Sequence, residues 1–115
     1  MSDTETVLQV RRASDSAAVI AVRGELTGAS ETGLTEAWTR AANRMTKKIV
    51  LDFSELEYMN STGIGLLVTL LVRAQRQRQQ LLAYGLSDHY RQILSLTRLD
   101  EAIQVVGSEA EALST

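Results

Sequence analysis

The chain has 115 residues, 44% of them hydrophobic, which fits one domain with one continuous core. Its 12 basic and 14 acidic side chains leave a net charge of -2, which excludes a general attraction to nucleic acid or to an anionic membrane. There is no cysteine and one histidine, His89, which rules out disulfides and thiolate metal sites and leaves no histidine metal site or triad within one chain.

Residues 1–6 read as a frayed tail, and the span 7–115 as one folded domain. The opening Met1-Ser2-Asp3-Thr4-Glu5 is polar and acidic, the opposite of a secretory leader. Val7–Arg12 alternates and predicts a strand. A turn at Ala13-Ser14-Asp15-Ser16 leads to a second strand, Ala17–Arg23, and the two form a hairpin. Gly24-Glu25-Leu26-Thr27-Gly28 breaks the pattern.

Ser30 is expected to cap a helix from Glu31 to about Met45. Leu34, Ala37, Trp38, Ala41 and Met45 follow its apolar stripe. Lys47 and Lys48 then place cations near that helix's C-terminus. Ile49–Phe53 is apolar except for Asp52 and predicts a central strand covered on both faces. Asp52 is expected to hydrogen-bond the following loop.

A short polar turn follows, and Ser61 or Thr62 is expected to cap a helix running to about Arg78. Ile64, Leu67, Val68 and Leu71 form its expected inner stripe. Leu66, Leu70 and Val72 lie off it, so a second face is either buried or offered to a partner. The apolar run Ile64–Val72 is too short to span a bilayer and is interrupted by Gly65 and Thr69. A soluble, cytoplasmic protein with no direct membrane insertion is therefore expected.

Leu81–Tyr84 predicts another strand. Ser87 caps a helix to about Thr97, with Tyr90, Ile93 and Leu94 inward and His89 on the surface. Ala102–Val106 is the last strand, and Ser108 with Glu111 matches a capping box for a short final helix. The order ββαβαβαβα implies an α/β fold: a mixed sheet with an opening hairpin, parallel crossovers and about four covering helices.

The order of elements, Gly24-Glu25-Leu26 after the second strand, and the run Leu51-Asp52-Phe53 through Tyr58-Met59-Asn60-Ser61-Thr62-Gly63-Ile64 resemble the STAS domain. More narrowly, the chain is similar to bacterial anti-sigma factor antagonists, over about Val7 to Leu113. The resemblance implies a serine switch. A GHKL-type serine kinase, itself the anti-sigma factor, phosphorylates the serine that follows an acidic position. The unphosphorylated antagonist binds that kinase and frees the sigma factor. A PP2C-type phosphatase reverses the modification.

Carried onto this chain, the phosphoacceptor is Ser61, with Thr62 the alternative. The partner surface is then Glu25, Thr27, Asn60, Ser61, Thr62, Gly63, Ile64 and Gly65. Two positions depart from the family pattern: Asn60 stands in the acidic place before the serine, and Thr27 stands where a second carboxylate is usual.

A helix N-terminus favours anions, so a phosphate on Ser61 is compatible with the fold. A partner packed over that helix end would meet a bulky, solvated dianion. Gly63 and Gly65 keep the first turn bare, open to a close backbone approach.

Plainer readings stand beside these. Ser61 can be an N-cap and nothing more. Asn60 reads as a turn residue, Thr62 as a structural hydroxyl and Glu25 as a solvated loop charge. Trp38 and Tyr90 read as core. Arg73, Arg76 and Arg78 read as a solvated helix face without the aromatic interleaving of a nucleic-acid site.

A second function therefore stays open: a STAS subunit or scaffold without a serine switch, for example in a lipid-transport complex. An enzyme is not expected, because no His, Cys and carboxylate constellation and no Walker-type loop is present. No cofactor or metal is expected.

Overall fold

The computed structural model describes residues 6–115. Apart from Thr6, which opens the first strand, the expected tail lies outside the described residues. The strands are β1 (Thr6–Arg12), β2 (Ala17–Leu26), β3 (Lys48–Asp52), β4 (Leu56–Met59), β5 (Gln80–Tyr84) and β6 (Gln104–Val105). The helices are α1 (Glu31–Ala41), α2 (Ser61–Arg76), α3 (Asp88–Leu96) and α4 (Glu109–Ser114). Single 3-10 turns occupy Gly28–Ser30 and Leu99–Glu101.

β1 and β2 form the expected antiparallel hairpin. The sheet then runs β1-β2-β3-β5-β6 with every later pairing parallel. The central strands are apolar at successive positions because both of their faces are covered. Ile20, Ile49, Leu51 and Ala83 belong to the main core with Leu34, Trp38, Leu67 and Leu94 of the helices. Val19, Val50 and Leu82, the alternate positions, pack with Ala112 of α4 in a second, smaller core.

Several local expectations are corrected. β2 does not stop at Arg23. Gly24 takes φ 81°, a conformation open to glycine, and the strand continues to Leu26 through a register shift. Beyond that shift β2 pairs with β4, a parallel strand in the segment expected to be a turn. β2 thus serves two neighbours in succession, β3 along its first half and β4 along its last residues.

Ser30 stands at the N-cap position of α1 as expected, but the capping hydrogen bonds belong to Thr27, which caps the 3-10 turn leading into the helix. Thr27 Oγ1 accepts from the Ala29 amide at 3.2 Å, and the Thr27 amide donates to Ser30 Oγ at 3.0 Å. Ser30 itself is buried and makes no cap bond to α1. α1 ends at Ala41, one turn before Met45, which is 64% exposed. The Ala41 carbonyl is taken there by the Arg12 guanidinium and the Thr46 hydroxyl, which closes the helix end.

Lys48 does not serve α1. Its ammonium donates to the carbonyls of Ala112 (2.9 Å), Leu113 (3.2 Å) and Thr115 (2.7 Å), so it caps α4. At the other end of α4, Ser108 Oγ accepts from the Glu111 amide as expected. The Glu111 carboxylate reaches back to the Gly107 amide, one residue earlier than a capping box would place it. The last strand is short, Gln104–Val105, because residues 99–101 first close a 3-10 turn.

Candidate functional site

The candidate site is the step from β4 into α2. Asn60 is extended (φ -95°, ψ -178°) and its Oδ1 accepts from the Gly63 amide at 2.9 Å. Asn60 is therefore the N-cap, and the expectation that Ser61 or Thr62 would cap α2 is corrected. Asparagine is as good a cap as serine, and its carbonyl arm reaches the third helical amide. Ser61 becomes the first helical residue. It is exposed, and no hydrogen bond of its side chain occurs among the described residues.

Thr62 is also exposed, but its methyl lies over the loop after β2. A Cβ on Gly28 would come 3.2 Å from Thr62 Cγ2. The two side chains thus differ: that of Ser61 is on an open helix end, and that of Thr62 lays its methyl against the turn at Gly28.

Gly63 and Gly65 also differ. A Cβ on Gly63 would stand 2.1 Å from the Leu26 carbonyl oxygen, so α2 is laid directly on the end of β2. The backbone that approaches Gly63 is the chain's own. Gly65 has nothing within 4 Å of a Cβ position and stays bare on the outside. Of the two, only Gly65 offers the open approach expected of both.

The inner stripe of α2 is Gly63, Leu67, Leu70 and Ala74. It is rotated from the expected one. Leu70, placed off the stripe by hydropathy, is buried, while Val68, placed on it, is 40% exposed. α2 ends at Arg76 rather than Arg78, and Arg78 takes φ 57° outside it. On the outward face Ser61, Gly65, Val68 and Val72 follow the i, i+4, i+7, i+11 line. Val72 is 40% exposed as well. An apolar strip therefore continues from Ser61 down the helix. Its sequence signal is a surplus of apolar residues over what one buried face needs. Ile64 and Leu66 flank the buried stripe and are half-buried.

Glu25 and Thr27 come from the end of β2. Glu25 is the register neighbour of Tyr58 on β4, which brings both strand ends to the α2 side. The Glu25 carbonyl accepts from Thr6 Oγ1 and, at 3.3 Å, from Ser30 Oγ. Glu25, Thr27, Ser30 and Gly33 line a cleft of about 340 Å3 beside α1. Thr27 holds its own turn, so its hydroxyl has a structural duty.

Asp52 does bind the loop after its strand, as expected. Its Oδ1 accepts from the Ser54 amide at 2.9 Å and from Ser54 Oγ at 2.6 Å. Partial burial pushes its carboxyl up, but the Ser54 hydrogen bonds, the Tyr84 hydroxyl and the Arg23 charge outweigh this and hold it below its usual range. Burial and the neighbouring Asp52 and Glu109 carboxylates push the Tyr84 phenol well above its usual value. Tyr84 donates to Glu109 Oε1 at 3.2 Å, and Arg11 pairs with the same oxygen. This network ties α4 to the sheet and is not part of the α2 site. Among the described residues no group of three or more His, Asp or Glu side chains is placed to hold a metal, and no helix is long and apolar enough to cross a membrane.

The family model described as "Mlab, STAS domain" matches residues 10–107. An anti-sigma-B factor antagonist of Staphylococcus aureus is 30% identical over 93 residues, 80% of this chain and 86% of that protein. One from Listeria monocytogenes is 31% identical over 61 residues, so the match spans only about half (54%) of that relative's length. The crystal structure of an anti-sigma factor antagonist from Mycobacterium paratuberculosis superposes with a TM-score of 0.82 over 98% of this chain and 95% of that one, at 19% identity. The anti-sigma factor antagonist SpoIIAA in its unphosphorylated form gives 0.73 over 94% of both chains, also at 19% identity. The structural likenesses carry the mixed sheet and its helices, and the family match carries the kinship: the chain belongs to the STAS domain family, with anti-sigma-B factor antagonists among its relatives.

Proposed function

We propose that the chain is a cytoplasmic anti-sigma factor antagonist controlled at Ser61. Unphosphorylated, it binds a GHKL-type anti-sigma serine kinase and releases the sigma factor. Phosphorylated at Ser61, it no longer binds. A PP2C-type phosphatase restores it. The role is binding, not turnover, and the span 7–115 acts as one unit.

The observation that supports this reading most is the cap. Asn60 takes the helix-capping duty, so Ser61 is left exposed at the first helical position with no structural task. The positive end of the helix tolerates a phosphate there. The outward line Ser61, Gly65, Val68, Val72 supplies an apolar strip for a partner, with the hydroxyl at its end. A dianion at that end disrupts a desolvated contact by charge and bulk while leaving the fold unchanged.

Peptide mass spectrometry after incubation with ATP and a lysate of the chain's own cells tests this. One phosphate that disappears in Ser61→Ala and persists in Thr62→Ala is the expected result. No phosphate on the wild type, in a lysate that phosphorylates other proteins, overturns it.

The second reading is a STAS subunit that binds its partner constitutively. Its support is that both positions where the family carries a carboxylate, Asn60 and Thr27, act here as caps for the chain's own backbone.

A further inference from the structure

β4 is a strand with one neighbour. Among the described residues it pairs with β2 alone. Successive amides of a strand point to opposite sides. The Asn60 amide points to β2 and donates to the Leu26 carbonyl at 3.3 Å. The Met59 amide points the other way, where a second strand would lie. Met59 is buried, so that N–H would be orphaned. It donates instead to Tyr90 Oη, 2.9 Å away. Tyr90 comes from the first turn of α3, is 8% exposed, and is anchored by the Ser87 cap of its own helix.

We infer that Tyr90 is a positioning residue for the Ser61 switch: its hydroxyl replaces the missing neighbour of β4 and sets where α2 begins. This rests on the Ser61 reading. The chain from the tether to the switch is short and continuous. Tyr90 holds the Met59 amide, the next residue caps α2, and the one after is Ser61. A Phe at position 90 would fill the same space and lose only this bond. α3 and the helix end carrying Ser61 are thus mechanically joined, and a change on either is felt by the other.

The test uses the full chain and no kinase. 15N-labelled wild type, Tyr90→Phe, Ser61→Asp and the double variant are compared by NMR and by urea unfolding. Tyr90→Phe is expected to speed exchange of the Met59 amide on the order of ten-fold and to shift the Asn60 and Ser61 amide signals. The stability effects of Tyr90→Phe and Ser61→Asp are expected to be non-additive. Strict additivity, with signal changes confined to α3, overturns the inference.

Should Tyr90→Phe not fold, the 13Cζ signal of Tyr90 in Ser61→Asp reads the same coupling. A shift supports it, and an unmoved signal refutes it. The phosphorylation assay on Ser61 reads the switch separately from this coupling. A chain that is never phosphorylated but shows the coupling loses the switch and keeps the tether; a phosphorylated chain without coupling keeps the switch alone.

Discussion

A Cβ on Gly63 would lie 2.1 Å from the Leu26 carbonyl oxygen, closer than any side chain can come to a backbone atom. Gly63→Ala must therefore push α2 off the end of β2. We expect a loss of about 3 kcal/mol, at the upper end of overpacking costs, because the obstructing atom is backbone. Gly65→Ala, two residues on, meets nothing and is expected to stabilise by about 0.5–1 kcal/mol through helix propensity. Urea unfolding of the two variants separates a glycine required by the fold from one left open.

Asn60 is expected to matter as a cap first. Asn60→Ala removes the acceptor of the Gly63 amide and costs about 1 kcal/mol. Asn60→Asp keeps the cap and adds a charge that the helix dipole favours, so its stability stays within about 0.5 kcal/mol of wild type. Thermal melts of both check this. An Asn60→Asp protein as unstable as Asn60→Ala would contradict the cap assignment.

Val68 and Val72 are expected to act on binding and not on folding. Each is half out of the protein already. Changing either to Ser should move stability by no more than about 0.5 kcal/mol. If the strip beyond Ser61 is the kinase-facing surface, each change weakens that complex about ten-fold. Calorimetric titration of the variants against the partner kinase reads this, and unchanged affinity in both would remove the strip from the interface.

Asp52 predicts an acid limb to stability. Its carboxyl titrates below its unfolded value of about 3.9. The group therefore stabilises the fold fully above about pH 4, and that contribution is lost as the pH falls through the lower folded value. Asp52→Asn should be less stable than wild type at pH 7. The two stability curves should converge in acid, measured by urea unfolding across pH.

How much of this was legible in the sequence depended on the kind of signal. The strands with continuous apolar runs and the serine caps at Ser87 and Ser108 stood out, because hydropathy and cap chemistry act locally. β4 did not. Leu56-Glu57-Tyr58-Met59 has no clean alternation, and its pairing depends on the shift at Gly24 in a distant strand.

Hydropathy misplaces the stripe of α2 because one of its buried residues is Gly63, which hydropathy cannot flag. The apolar pattern misses the end of α1 because Arg12 and Thr46, far apart in sequence, meet at the Ala41 carbonyl. At the site, Asn60, Ser61 and Thr62 are all competent caps, so composition alone could not choose among them. A shift of one residue decided whether Ser61 was structural or free. Tyr90 reads as core, and it is buried; its hydroxyl's partner across 31 residues lies beyond any local pattern.

The Asn60 cap has a consequence for what position 61 tolerates. No core contact depends on the side chain there: it is exposed and first in the helix, where even proline is at home. The packed interior therefore places no steric demand on what stands at 61, and only the charge preference of the helix end bears on it. A change at 61 that altered partner binding would therefore act at the surface and not through misfolding.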